Sequence, residues 1–272
     1  MKAVYFNQHG GPEVLQYGDF PDPKPAAGEV LIDVKACSLN HLDIWTRKGM
    51  PGVTIPFPHI LGCDISGIVV DMSGAATALR KGDRVIVSPG MGCGTCVRCK
   101  MGWDSLCDQY DVLGFQINGG NAERIAVPAR RVIKVTATRS FEEWAAVPLV
   151  FLTAWHMLRT QAKLKAGEKV LVQAAGSGVG SAAIQIAKLT GARVFTTVGS
   201  DDKVEKAKAL GADAVIHYKQ TDFSEEIRRL TNREGVDVVF EHIGPETWQK
   251  DLACLAKGGR LDRKSTRQNS SH

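Results

Sequence analysis

The sequence predicts a two-part α/β protein: a β-rich N-terminal domain, then a doubly wound parallel sheet with helices on both faces. Three observations carry this. Short apolar runs punctuated by Gly and Pro fill the first half, and from about residue 141 helical and apolar strand-like stretches alternate. The glycine-rich AAGSGVGSAA, residues 174–183, then falls between the first strand and the next helix of that alternating series. At 272 residues, 44% hydrophobic and 23% charged, the chain is long enough for two medium-sized domains. Their expected limits are 1–135, with a cysteine lobe at 91–110, and 136–261, followed by a tail at 262–272.

In the first domain EVLIDVKA (29–36), SGIVVDM (66–72), DRVIVSP (83–89) and ERIAVPA (123–129) read as strands. Residues 37–62 and 91–121 read as loops and carry five of the seven cysteines; loops on a rigid sheet are where sites concentrate. In the second domain FEEWAAVPLVFLTAWHMLRT reads as a largely apolar helical stretch interrupted around Pro148. Strands at 169–174, 193–198, 213–218 and 236–243 then alternate with helices at 179–189, 201–210, 222–232 and 245–257, and GGRL begins a fifth strand. Unbroken apolar strands suit a parallel sheet covered on both faces. The helix at 201–210 is locally consistent: Asp201 and Asp202 favour its positive end, Lys206 and Lys208 lie further along, and Gly211 can take the left-handed stop.

Charge and targeting exclude several classes. The last eleven residues, DRKSTRQNSSH, carry three basic groups and one acid, so taking that +2 from the net +5 leaves +3 for the rest. No Lys/Arg run is interleaved with aromatics, which speaks against a nucleic-acid partner. The N-terminus has no basic-then-apolar signal pattern, and no run approaches the ~18 to 20 apolar residues of a membrane span. A cytoplasmic protein is expected, where reduced thiols that cluster serve metals or catalysis rather than disulfides.

Gly176, Ser177, Gly178, Val179 and Gly180 form the glycine turn. Glycine lets the chain turn sharply and lets a pyrophosphate reach the helix N-terminus, where free N–H groups and the dipole favour negative charge. The end of the second strand selects the nucleotide, because NAD-specific folds place a carboxylate there for the ribose 2′-hydroxyl. Here Gly199 and Ser200 follow TTV with no acid at the tip, and Lys203 and Tyr218 lie close by in the sequence. Ser200, Lys203 and Tyr218 suit a 2′-phosphate, so NADPH is expected over NADH. Asp201 is the competing ribose ligand, and its place at a helix start favours capping instead.

The stretch CGTCVRCKMGWDSLC sets Cys93, Cys96, Cys99 and Cys107 at spacings that can close a tetrahedral zinc site. Four thiolates leave no open position, so such a zinc folds a loop rather than acting as a Lewis acid. Arg98 and Lys100, lying between the ligands, are expected to offset its negative charge.

With that lobe inside a β-rich domain and the glycine turn after it, the chain resembles the medium-chain dehydrogenase/reductase superfamily, near its zinc-binding alcohol dehydrogenase and quinone oxidoreductase-like members. The resemblance runs from Met1 to about Leu261 through HGGPEVL, ACSLNHLDIW, PHILGCDISGIV, the cysteine lobe, PLVFLTAW and AAGSGVG. It implies a GroES-like catalytic domain, a Rossmann domain, hydride transfer from a nicotinamide between them, a small-molecule carbonyl or quinone substrate, and a homodimer or homotetramer. Alcohol dehydrogenases of the superfamily hold a catalytic zinc with Cys, His and Cys; the matching positions here are Asn40, Cys63 and Leu149, and Leu42 stands where a proton-relay hydroxyl is common. Asn40 and Asp43 instead resemble the N-x-x-D of zinc-free quinone and enone reductases, and Thr153 matches a nicotinamide-side threonine. The expected catalytic residues are therefore Asn40, Asp43 and Thr153.

The leading expectation is an NADPH-dependent reductase of quinones, enones or related α,β-unsaturated carbonyls with one structural zinc. One alternative is a zinc-dependent alcohol dehydrogenase whose metal uses His41, His59, Cys63 and Asp64; another is a non-catalytic nucleotide- or RNA-binding protein. Beyond GGRL the sequence lacks period and apolar content, so the chain is expected to be C-terminally truncated, to leave a sheet edge unpaired, and to bind NADPH weakly or be insoluble.

Overall fold

Alternating burial builds the first half of the chain. In the computed structural model, which describes residues 1–74 and 78–263, β1 (Lys2–Phe6) buries Ala3 and Phe6 and pairs antiparallel with β2 (Gln16–Asp19). β3 (Glu29–Ser38) buries Val30 and Ile32, and is followed by α1 (His41–Lys48), β4 (His59–Ile60), which joins β1, and β5 (Asp64–Ser73). Next come β6 (Arg84–Val87), β7 (Gly90–Met91), α2 (Val97–Lys100), β8 (Asp111–Val112), β9 (Arg124–Pro128), β10 (Val132–Lys134) and α3 (Phe141–Ala145). The main sheet is antiparallel in the order β10-β6-β5-β3-β9, over a core that includes Val30, Ile32, Ile65, Val69, Val85, Val127 and Cys63.

Two stretches expected to be loops hold short elements: α1 and β4 lie inside 37–62, and α2 and β8 inside 91–121, with β7 at its start. Their polar faces and small size hide them from periodicity. The apolar stretch at 141–160 breaks where Pro148 starts a new helix, α4 (Pro148–Trp155), which runs into a π-helical turn at His156–Gln161.

The chain divides into two units inside α4, after Leu149, rather than at the expected 135/136 limit. Three hydrogen bonds hold 141–149 to the first unit: the hydroxyls of Ser66 and Ser38 donate to the carbonyls of Phe141 (2.6 Å) and Ala145 (2.8 Å), and the Leu149 N–H donates to Asp64 (2.7 Å).

The second unit alternates strand and helix: β11 (Lys169–Val172), α5 (Gly178–Leu189), β12 (Arg193–Val198), α6 (Asp202–Ala209), β13 (Ala214–His217), α7 (Phe223–Leu230), β14 (Val236–Glu241), α8 (Trp248–Cys254) and β15 (Leu255–Arg263). All neighbours are parallel, in the order β13-β12-β11-β14-β15. Val170, Val172 and Phe240 pack with α5 on one face, and Leu171, Phe195 and Val239 with Phe223, Ile227 and Cys254 on the other, which is why the strands carry no polar alternation. The strand order reverses between β11 and β14, the switch point where open α/β sheets bind ligands.

The helix expected over 245–257 spans only Trp248–Cys254, because Leu255 is already extended (φ −69°, ψ 137°) and pairs with Val236. Strand β15 continues through Asp262 and Arg263, which pair with Phe240 and Glu241, so the first two residues of the expected tail belong to the sheet. The remainder of that tail, 264–272, lies outside the described residues. Among the described residues no helix is long and apolar enough to cross a membrane.

Candidate functional site

The cysteine lobe brings its four thiols together. All four Sγ atoms lie within 4.8 Å of one another, with Cys93 and Cys99 3.9 Å apart and Cys96 and Cys107 3.8 Å apart. Zn–S bonds of about 2.3 Å in a tetrahedron place sulfurs about 3.8 Å apart, so the set fits a zinc ion. Main-chain N–H groups point at the sulfurs: those of Thr95 and Cys96 at Cys93, that of Cys99 at Cys96, and those of Cys93 and Gln109 at Cys107. The Thr95 hydroxyl and the Thr95 and Cys96 N–H groups hold the Cys93 thiol down to about 5, whereas burial and the other three thiols push Cys99 up to about 12. Arg98, expected to offset the thiolate charge, instead pairs with Asp108 at 2.7 Å and bonds the Leu106 carbonyl, tying the lobe's two ends. Arg130, unforeseen from sequence, reaches the Cys93 carbonyl at 3.4 Å.

Asn40, Cys63, Asp64 and Leu149 also meet, in a different chemistry. The Asn40 amide donates to Asp64 Oδ2 at 2.9 Å and to Cys63 Sγ at 3.5 Å. Asp64 further accepts from the Leu149 N–H at 2.7 Å, so Leu149 contributes main chain only, and the Ser38 hydroxyl, whose hydrogen goes to the Ala145 carbonyl, lies 3.2 Å from it. Cys63 is wholly buried, and burial, reinforced by the nearby Asp64 and Asp43 carboxylates, pushes its thiol far up, away from the thiolate. Burial likewise raises Asp64 and Asp43. Both Asp43 oxygens accept main-chain N–H groups, of Asn40 at 2.7 Å and Gly62 at 3.0 Å, so Asp43 holds the start of α1 against the turn before Cys63. Among the described residues the four cysteines form the one His/Cys/Asp/Glu group that converges for a metal; His41, His59, Cys63 and Asp64 do not converge. His41 is exposed beside Trp45, and His59 is buried edge-on to Phe6. Thr153 is half-buried in α4, in the second unit.

The glycine turn joins β11 to α5. Ser177 caps α5 by accepting the Gly180 N–H at 2.9 Å, leaving the N–H groups of Gly178 and Val179 at the first two helix positions without an intrahelical partner. A Cβ on Gly180 would lie 2.2 Å from the Ala174 carbonyl oxygen, so only glycine lets helix and strand approach this closely. A Cβ on Gly176 would lie 2.8 Å from Lys203 Cδ, and one on Gly199 2.5 Å from the Tyr218 hydroxyl. Lys203 and Tyr218 thus gather around the turn and the tip of β12, a set that fits a dinucleotide with a 2′-phosphate. The Ser200 hydroxyl is committed to Asp202, whose carboxyl it holds below the usual range. Asp201 makes no capping hydrogen bond, contrary to expectation; its carboxylate lies 3.7 Å from His217 Nε2.

Comparison with known proteins agrees with this architecture. Residues 26–137 match the alcohol dehydrogenase GroES-like domain, and residues 178–262 match the zinc-binding dehydrogenase family. A quinone oxidoreductase of Pongo abelii is 31% identical over 262 residues, covering 96% of this chain and 72% of that protein. A crystal structure of an NAD-dependent alcohol dehydrogenase superposes with a TM-score of 0.93 at 46% identity, over 96% of this chain and 76% of that one. The Escherichia coli quinone oxidoreductase solved with NADPH gives 0.78 at 30% identity, over 96% and 72%. This chain is thus shorter than these relatives. A GroES-like domain, a parallel sheet with a glycine turn at its switch point and this degree of similarity place the chain in the medium-chain dehydrogenase/reductase superfamily of oxidoreductases.

Proposed function

We propose that the protein is an NADPH-dependent reductase of quinones, enones or related α,β-unsaturated carbonyls, carrying one structural zinc on Cys93, Cys96, Cys99 and Cys107 and working in a reducing cytoplasm. The observation that carries this is the Asn40–Cys63–Asp64 cluster. Where alcohol dehydrogenases of the superfamily have three zinc ligands, this chain has a neutral amide, a buried thiol and a leucine main-chain N–H, already bonded to one another or to Asp64. Amides are poor zinc ligands and leucine is none, so Cys63 is left as the one ordinary zinc ligand of the three positions.

When bound, the nicotinamide supplies the hydride. The chain's own residues bind and orient. Gly178 and Val179 present N–H groups to the pyrophosphate, Lys203 and Tyr218 take the 2′-phosphate, and the Asn40 amide, fixed by Asp64, shares its second N–H, which meets Cys63 Sγ only weakly at 3.5 Å, with a carbonyl oxygen. Cofactor oxidation with a panel of quinones, enones and ketones tests this, with zinc analysis alongside. About one zinc per chain and NADPH-dependent turnover are expected. NADPH binding without turnover on any substrate would refute it.

The 46% identity to an NAD-dependent alcohol dehydrogenase favours a second function, alcohol oxidation. About two zinc ions per chain and NAD-linked alcohol turnover would establish it instead.

A further inference from the structure

We infer that His242 is a positioning residue for the nucleotide turn; this rests on the nucleotide-binding role proposed above. β14 ends at Glu241, whose buried carboxylate accepts the N–H groups of both Ile243 and Gly244 at 2.5 Å, with Arg263 3.4 Å away as counter-charge. That clamp folds the chain back directly after the strand and sets the side chain between, His242. The Phe240 ring, 5.6 Å away at 67°, orients the imidazole, and its Nε2 lies 2.9 Å from Ser177 Oγ.

The Ser177 hydroxyl has one hydrogen and two lone pairs. Its hydrogen goes to the Ala174 carbonyl at 2.9 Å, and one lone pair takes the Gly180 N–H at 2.9 Å. The third partner is His242 Nε2, which in its Nε2–H tautomer donates to the remaining lone pair and fills the hydroxyl's capacity. Ala174 needs this support. It is a non-glycine residue at φ +51°, in the left-handed region, with its N–H held by the Thr197 hydroxyl at 2.9 Å and its carbonyl by Ser177. Ser177 follows β11 and His242 follows β14, so the bond spans the switch point of the sheet from residues 65 apart in sequence. By holding Ser177 it keeps the cap closed and the N–H groups of Gly178 and Val179 aimed before any nucleotide arrives, which lowers the ordering cost of binding.

The test uses the whole chain with H242A, H242Q, S177A and the H242A/S177A pair, measuring NADPH affinity by calorimetry and Gly180 amide exchange without nucleotide. H242A is expected to raise the NADPH Kd about three- to tenfold and to speed Gly180 exchange by a similar factor. H242Q, whose carboxamide N–H can reach Ser177, should restore both to within about twofold, and H242A should add nothing on the S177A background. Unchanged Gly180 exchange in H242A, or additive losses in the pair, would overturn the positioning role alone. Failure of the unsubstituted chain to bind NADPH would overturn the nucleotide-binding proposal and this one with it.

Discussion

The cysteine lobe and the Asn40 cluster lie in the same unit and each gathers ligand-type side chains, yet they are built for opposite ends. In the lobe, turns bring four sulfurs to metal-binding separation and aim N–H groups at them; Cys93 is lowered to about 5, while burial and the other three thiols push Cys99 up to about 12. Around Asn40, burial raises Cys63, Asp64 and Asp43, and the polar atoms spend their hydrogen bonds on each other. Ligand-type residues fit a cation where the fold brings their donor atoms to coordination distance of one another. Where it ties them to each other by hydrogen bonds instead, the same residue types make a dry, fixed polar surface.

The largest expected effect comes from breaking the lobe. Cys99→Ser should abolish stoichiometric zinc, and with it the ordering that short turns cannot supply alone, lowering the melting temperature by roughly 10 °C. Inductively coupled plasma mass spectrometry and a thermal scan read both. Zinc retained in full would show that the four sulfurs do not hold it.

Next is Asp64, which accepts hydrogen bonds from Asn40 and Leu149 while almost wholly buried. Asp64→Ala should cost about 3 kcal/mol in denaturant unfolding by orphaning the Asn40 amide and the Leu149 N–H. Asp64→Asn isolates the proton. Because burial raises the folded carboxyl above its unfolded value, the folded state holds the proton more tightly. The stability this contributes is fully present below the ordinary aspartate range and is lost as pH rises through the folded value. Asp43 adds a slope of the same sign. The wild type should therefore lose stability with rising pH more steeply than Asp64→Asn; equal slopes would show that folding does not raise the Asp64 carboxyl.

The two regions were also unequally legible. Spacing alone revealed the lobe, because four cysteines within fifteen residues can close on one ion with only turns between them. The alternation of strand and helix in the second unit was readable for a similar reason: long apolar runs and a glycine turn are local signals. The Asn40 cluster draws on residues 38, 40, 63, 64 and 149, and only the resemblance placed three of them together. Ser38 left no trace beyond a hydroxyl at a strand end. His242 sat inside a predicted strand over 236–243, and it becomes visible only once Glu241 is seen to end β14. The α1 helix was missed because its apolar residues Ile44 and Trp45 face outward, where periodicity finds no core stripe.

The smallest effect decides the comparison most sharply. Asn40→Ala removes one good hydrogen bond to Asp64 and a weak one to Cys63, yet leaves Asp64 its bond from Leu149 with the Ser38 hydroxyl close by, so about 1 kcal/mol of stability should be lost. If Asn40 orients a carbonyl substrate, kcat/KM for quinones or enones should fall about tenfold, while zinc content and the NADPH Kd stay at wild-type values. That pattern assigns the two regions separate tasks, metal in the lobe and substrate orientation at Asn40. A loss of zinc in Asn40→Ala would mean that the Asn40 cluster holds a metal after all, and would return the alcohol dehydrogenase function to first place.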